Sequence, residues 1–255
     1  MAGIVSALYR HPVKGFTPER VSEAKLELDR CFPADRMFAV ENGPSGFDAA
    51  DPQHISKQKF TVLARSAVVA NIRTAFDEAS GVMSVTGAGG EHAAFNLFED
   101  EGRAGFADFL TAQFGDAFQG PLRVCEAPGS YRFMDDPSGH VSLLNLASVS
   151  AVAGQLGEPV DPLRFRMNLH FEGLGAWAED DWQAGDKLRL GDEIELTVVK
   201  PTIRCKATHA NPETGVYDLD TVPLLKQNFD RITMGLYTQV TRSGTVREGD
   251  QLERA

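Results

Sequence analysis

The sequence predicts an α+β fold dominated by β-structure. Short apolar or alternating runs recur between Pro, Gly, Asn and Asp residues, and only two stretches carry a helical pattern. Beyond Trp182 the chain is strongly strand-like. In order, Ile4 to Tyr9, Val21 to Leu28 and Arg36 to Glu41 are expected strands, followed by Val82 to Thr86 and Leu122 to Glu126. Gly87-Ala88-Gly89-Gly90 is a hairpin tip, since it lacks the dinucleotide-binding spacing. Gly105 to Phe114 is a helix: Phe106, Phe109, Leu110 and Phe114 form one stripe, and Gly115 stops it. A second helix is expected from Leu143 to Leu156, capped by Asn145 or Ser148 and closed by Gly157. Lys187 to Leu190, a turn at Gly191-Asp192, and Glu193 to Val199 alternate as half-buried strands do. Leu236 to Val240 and Thr245 to Leu252, joined by Ser243-Gly244, are expected to form a last hairpin-like unit.

A chain of 255 residues buries a core in one large domain or two modest ones. The Pro/Gly-rich stretch from Ala127-Pro128-Gly129 to Pro137-Ser138-Gly139 marks the boundary, giving domains 1–130 and 131–255. The net charge of -11 argues against nucleic-acid binding, which needs a basic face, and would suit a basic protein partner. Cys31, Cys125 and Cys205 are scattered and odd in number, against a disulfide framework or a cysteine-built zinc site. They are also too few for a four-cysteine iron–sulfur cluster, so electrons for any redox chemistry must come from elsewhere. No stretch approaches the ~18 apolar residues of a membrane span, and Met1 to Arg10 lacks a signal-peptide pattern. A cytoplasmic protein with no membrane contact is expected.

The most specific feature is Cys205 in Lys200-Pro201-Thr202-Ile203-Arg204-Cys205-Lys206. A lone cysteine at a strand end is commonly a small buried hydrophobe. A neighbouring cation, here Arg204, instead favours the thiolate, which suits a soft metal or sulfur transfer. In Phe165-Arg166-Met167-Asn168-Leu169, a strand would point Arg166 and Asn168 to one face, where they can hold a phosphate or a heterocycle edge. The alternative is the solvated face of an edge strand. Trp177-Ala178-Glu179-Asp180-Asp181-Trp182 supplies either a general acid or an acidic loop anchored by tryptophans. Lys14-Gly15 is a small anion grip without P-loop spacing, and Arg36, Lys57 and Lys59 add cations. His54, His92, His140, His170 and His209 show no metal-ligand spacing.

Together and in order, several of these runs resemble the MOSC-domain proteins with their N-terminal β-barrel companion. That is the family of the molybdenum cofactor sulfurase C-terminal region and the mitochondrial amidoxime reducing component. The matching runs are Pro12-Val13-Lys14-Gly15, Asp35-Arg36-Met37-Phe38, Ala147-Ser148-Val149, Phe165-Arg166-Met167-Asn168 and Ala178-Glu179-Asp180-Asp181-Trp182. Leu190-Gly191-Asp192, Arg204-Cys205, Asn211-Pro212-Glu213-Thr214-Gly215, Met234-Gly235-Leu236-Tyr237 and Gly244 to Asp250 complete them. The resemblance implies a β-rich α+β fold: a MOSC β-barrel with a few packing helices plus a smaller N-terminal β-barrel-like domain. It implies that Cys205 ligates molybdenum, as a soft thiolate can. Lys14, Arg36, Lys57, Arg166, Asn168 and Arg204 would then hold the pterin and its phosphate in the molybdopterin form of the cofactor.

The implied activity is reduction of N-hydroxylated small molecules, amidoximes or hydroxylamines, with Cys205 and Asp180 as catalytic residues. Electrons would come from an external ferredoxin-like or cytochrome b5-like donor with its reductase. The alternative is a carrier of the molybdenum cofactor, or of sulfur on Cys205, without turnover; a vestigial domain that has lost the cofactor is a third. Two positions depart from the family pattern: Gly15 stands where a serine is usual, and Ile203 where a serine or threonine is usual. No pyridoxal-phosphate sulfurase domain is expected upstream, and no ferredoxin-like domain downstream.

Overall fold

The structure, a computed structural model, describes residues 2–137 and 141–255. His140, and Ser138 and Gly139 of the expected boundary stretch, lie outside the described residues.

Residues in the first half form β1 (Gly3–Arg10), β2 (Glu19–Val21), β3 (Glu23–Leu26), β4 (Phe38–Asn42), β5 (Arg73–Asp77), β6 (Val82–Thr86), β7 (His92–Asn96), α1 (Asp100–Phe114) and β8 (Leu122–Glu126). The second half supplies β9 (Val141–Asn145), α2 (Leu146–Leu156), β10 (Leu169–Glu172), β11 (Lys187–Leu190), β12 (Ile194–Ile203), α3 (Thr221–Phe229), β13 (Thr233–Arg242), β14 (Gly244–Arg247) and β15 (Gln251–Arg254).

Seven strands close into a barrel in the order β10-β9-β13-β12-β11-β15-β1, with β1 returning to β10. All neighbours are antiparallel except β9 and β10, where Leu169 pairs with Leu143 in parallel. Strand alternation fills the barrel: Leu188 and Leu190 on β11 and Ile194, Leu196 and Val198 on β12 are buried. They pack with Leu8, Phe171, Val240 and Leu252 in one core. β1 belongs to this ring although it precedes the expected boundary by more than a hundred residues. A second core joins β4–β8, the β5-β6-β7 sheet and α1, through Phe38, Phe76, Met83, Phe106 and Phe114.

Some local expectations are met with small shifts. β6, β8 and β11 have the predicted limits, and Gly87 to Gly90 joins β6 to β7. The first helix begins five residues earlier than expected, at Asp100. The second begins at Leu146, because Val141–Asn145 is already strand β9; Asn145 is the cap, its side chain accepting from Ala147 N at 3.0 Å. Phe165 to Leu169 is not a continuous strand. Pro162–Phe165 is a 3-10 turn, Arg166 has φ +55°, and β10 starts only at Leu169. The expected alternation is lost: Phe165, Met167, Asn168 and Leu169 are all buried, with Phe165 and Met167 in one core and Leu169 in that of the barrel. The last hairpin-like unit does not form as expected: Thr245 to Leu252 divides into β14 and β15, and neither pairs with β13, since β14 joins β3 and β15 lies between β1 and β11.

Candidate functional site

Four chain segments meet at the candidate site. The β1–β2 connection brings Lys14 and Gly15, the turn before β4 brings Arg36, and the ends of β12 and the 3-10 turn before β10 bring Arg204, Cys205 and Arg166. They line a cleft of about 300 Å³ together with Lys57, Asp135, Asp136, Arg164, Lys200 and Tyr237.

Local backbone geometry explains the recurrent glycines here. Gly15 has φ +89°, and a Cβ on it would stand 2.8 Å from Thr61 O and 2.9 Å from the Val62 Cα. The chain therefore approaches the 61–62 backbone where no side chain fits, and a serine is excluded by that packing. Gly235, at φ +75°, lets β13 pass Leu143 O, and a Cβ would also meet Met167 Cε at 2.8 Å. Asn211-Pro212-Glu213-Thr214-Gly215 is a side-chain-closed turn, with Asn211 Oδ1 accepting from Glu213 N at 2.8 Å and Thr214 N at 3.1 Å.

The lining is strongly cationic for so acidic a chain: seven Lys and Arg side chains against two carboxylates. Lys14 is buried, donating to Phe133 O at 2.8 Å and to Asp135; burial lowers its pKa, and Asp135 pulls back only part of the way. Lys57 donates to the other Asp135 oxygen at 3.1 Å and to Cys205 Sγ at 3.2 Å. Burial alone would lower the Lys57 pKa, but Asp135 and Cys205 leave it raised. Asp135 is held below the usual carboxylate range: burial works against this, and the two lysines outweigh it.

Arg36 and Arg166 both sit in the left-handed region, at φ +51° and +55°. Arg36 pairs with the fully buried Asp35 and donates to Arg166 O at 3.2 Å. Asp35 also accepts from His11 N at 2.6 Å. Arg166 donates to Phe16 O at 2.6 Å, and burial followed by the Arg36 charge lowers its pKa to about 9. Arg204 is buried and turned away from the thiol beside it, donating to Phe165 O at 2.7 Å and Thr202 O at 3.2 Å. The cation that touches the Cys205 sulfur is therefore Lys57, not Arg204.

Six of the sequence-predicted site residues line the cleft: Lys14, Arg36, Lys57, Arg166, Arg204 and Cys205. Asn168 does not. It is fully buried beside the cleft, where its Oδ1 accepts from Ser142 N and Oγ (3.1 and 2.7 Å) and its Nδ2 donates to Tyr9 O at 3.1 Å. Asp180 also lies outside the lining, paired with Arg231, whose guanidinium stacks 4.3 Å from the Trp177 ring. In that acidic run the buried carboxylate is Glu179, which accepts from Asn145 Nδ2 at 2.7 Å and Ser148 Oγ at 2.8 Å. Asp135, Arg164, Lys200 and Tyr237 line the cleft without having been singled out as site residues. Tyr237 stood in a recognised run, Met234 to Tyr237, whereas Asp135 lies in a Pro/Gly-rich stretch with no period to flag it.

The cleft suits a phosphate-bearing group held by one soft donor. Arg166, which lines it, has its buried Nη2 without a hydrogen-bond partner among the described residues, a donor an anion would satisfy. Among the described residues no cluster of three or more His, Cys, Asp or Glu could cage a metal ion. A metal at this site would take its protein ligand from Cys205 and its other donors from the group that carries it.

Comparison with known proteins agrees with this architecture. The family model for the MOSC domain matches residues 130–253, and that for the MOSC N-terminal beta barrel domain matches residues 2–117. The chain belongs to the MOSC-domain family. Its members are associated in general with the molybdenum cofactor. This MOSC protein is 32% identical over 126 residues to mitochondrial amidoxime-reducing component 1 of Xenopus laevis, covering 45% of this chain and 36% of that protein. With its Homo sapiens counterpart the identity is 30% over 120 residues, covering 42% and 34%. The matched part thus spans about a third of these relatives' length. Among solved structures, the YUAD protein from Bacillus subtilis covers 99% of this chain and 94% of its own, at 10% identity and a TM-score of 0.46. No helix among the described residues is long and apolar enough to cross a membrane.

Proposed function

We propose that this MOSC protein holds the molybdenum cofactor through Cys205 and the cationic cleft, and reduces N-hydroxylated small molecules with electrons from a separate donor protein. The observation that carries this reading is the convergence of one half-buried thiol with seven cationic side chains in a chain of net charge -11. Arg36, Arg166 and Lys14 offer charge-assisted hydrogen bonds to phosphate and pterin oxygens, and Cys205 offers a soft thiolate ligand. When bound, the cofactor supplies a two-electron redox centre able to accept the substrate oxygen. Each N–O bond broken consumes two electrons and two protons and releases water. The chain's own groups that can hand on a proton at the cleft are the Lys57 ammonium and the Tyr237 hydroxyl, whose pKa is raised by burial. Asp135 bridges Lys14 and Lys57 and so fixes where that ammonium points.

Relatives named as amidoxime-reducing components support the substrate class. A carrier that hands on cofactor or sulfur is the second reading, favoured by the partial exposure of Cys205, which an acceptor could reach. The test is molybdenum analysis of wild type and Cys205→Ala from cells that make the cofactor, followed by amidoxime reduction with a chemical electron donor. Stoichiometric metal lost in the variant, with turnover by the wild type, is the expected result. Loaded protein without turnover that transfers its cofactor to an apo-acceptor would replace the reductase by the carrier; metal-free wild type would overturn the reductase and leave a sulfur carrier or a vestigial domain.

A further inference from the structure

Two positions that carry hydroxyls in the resembling family, 15 and 203, are Gly15 and Ile203 here. At Gly15 the backbone leaves no room for a side chain. At 203 the reason lies in strand register. Pairing of β12 with β13 shifts between Val198 and Lys200 and again between Pro201 and Ile203. Each such shift changes which side chains face inward. Ile203 ends 68% exposed, while its neighbour Thr202 is 3% exposed and lines the cleft.

The Thr202 hydroxyl has no hydrogen-bond partner among the described residues. Buried hydroxyls are normally satisfied, so an orphan on a cleft-lining residue points to something that enters the cleft. It is not isolated. Seven buried side-chain nitrogen or oxygen atoms lack partners among the described residues, and three of them belong to lining residues: Arg164 Nε, Arg166 Nη2 and Thr202 Oγ1. The two guanidinium atoms can only donate, whereas the threonine hydroxyl can donate or accept.

We propose that Thr202 Oγ1 is a hydrogen-bond ligand of the anionic group this cleft holds, supplying from the adjacent residue the hydroxyl that Ile203 lacks. The inference rests on the functional reading above and adds a binding residue to it. The hydroxyl is unbonded among the described residues and is free to engage a group bound in the cleft. A role in folding alone predicts the opposite, a hydroxyl already bonded within the chain.

Thr202→Val keeps the shape and removes only the hydroxyl; Thr202→Ser keeps the hydroxyl. Both variants and wild type are expressed where the cofactor is made, and molybdenum and released pterin fluorescence are measured per chain before and after prolonged dialysis. Thermal unfolding is compared on metal-free samples of all three. Thr202→Val is expected to hold the group roughly 10- to 100-fold more weakly, the loss of one hydrogen bond to a charged partner, with Thr202→Ser close to wild type. Metal-free Thr202→Val should unfold at or above the wild-type temperature, because an unsatisfied hydroxyl has been removed. Retention in Thr202→Val equal to that of a loaded wild type would overturn the inference and leave the functional reading standing. Lower stability of metal-free Thr202→Val would also overturn it, since the hydroxyl would then have a partner in the chain. A wild type that never carries molybdenum would overturn the functional reading, and the inference with it.

Discussion

Acidification from pH 7.5 to 5.0 should destabilise this protein through two histidines that the cleft chemistry does not use. His11 is fully buried against Asp35, and His170 is 3% exposed with its ring 4.8 Å from Tyr9. The Nε2 atoms of both are buried without partners among the described residues, so none of those offers an acceptor for a second proton. Burial lowers the His11 pKa to about 3, with the Arg166 and Arg36 charges adding to it, and burial lowers that of His170 to about 4. Unfolded, each titrates at 6.5. With folded values depressed, the unfolded chain takes up protons first, so stability is full above pH 6.5 and falls as the pH drops toward the folded values. At pH 5.0 each histidine then costs about 2 kcal/mol relative to pH 7.5, about 4 kcal/mol for the pair. For a chain of this size that is a drop in Tm of about 8 to 16 °C. Glu19 and Glu179, whose carboxyl pKa values are raised by burial, act in the opposite sense, so variants isolate the histidine contribution. His170→Phe keeps the ring beside Tyr9, and His11→Asn keeps a donor toward Asp35; each should remove about half of the drop. The assay is thermal unfolding by circular dichroism at both pH values. A wild-type change under about 2 °C, or the same slope in both variants, would refute the reasoning.

Asp35→Asn should cost about 3 to 5 kcal/mol in thermal or denaturant unfolding, because Arg36 loses its buried counter-charge while His11 N keeps an acceptor. Gly15→Ser restores the family's hydroxyl on paper, yet its Cβ meets Thr61 O and the Val62 Cα; the expected result is a stability loss of at least about 1 to 3 kcal/mol and no gain in molybdenum retained. Asp180→Asn should leave cofactor content and amidoxime turnover unchanged, with a stability change under about 1 kcal/mol, since it removes a half-exposed surface pair with Arg231. Lys57→Met should lower turnover about 10- to 100-fold if its ammonium serves the reaction, measured as kcat on protein normalised for molybdenum, because it removes the side chain that touches both Asp135 and Cys205.

Much of the fold was legible because it is local. β6, β8 and β11 alternate over a few residues between turn signals, and Gly115 and Gly157 end the two predicted helices. α3 was not expected: it has nine residues, with Pro223 near its start, too short for a stripe to stand out. The cleft was partly legible, because its cations come in recognisable runs. Contacts across the chain were not. Arg204 adjoins Cys205 in sequence, yet its guanidinium points to Phe165 O, while Lys57, 148 residues away, reaches the sulfur. Asn168 was expected at the cofactor because a regular strand would turn it beside Arg166. The left-handed kink at Arg166 instead leaves Asn168 bonded to Ser142 and Tyr9.

The place of β1 bears on how the chain is born. It is translated well before both its barrel neighbours, β10 and β15, the second of which comes from Gln251–Arg254. Until those residues emerge, the eight residues of β1 have edges that only β2 can partly cover, the kind of unpaired strand that invites association with other chains. The ring cannot close vectorially, and its last step joins segments almost the full sequence apart, which should make refolding slow. A fragment starting near residue 130 would lack the staves that Gly3–Arg10 provides and leave two open seams. Supplying that octapeptide in trans would be the natural way to mend them.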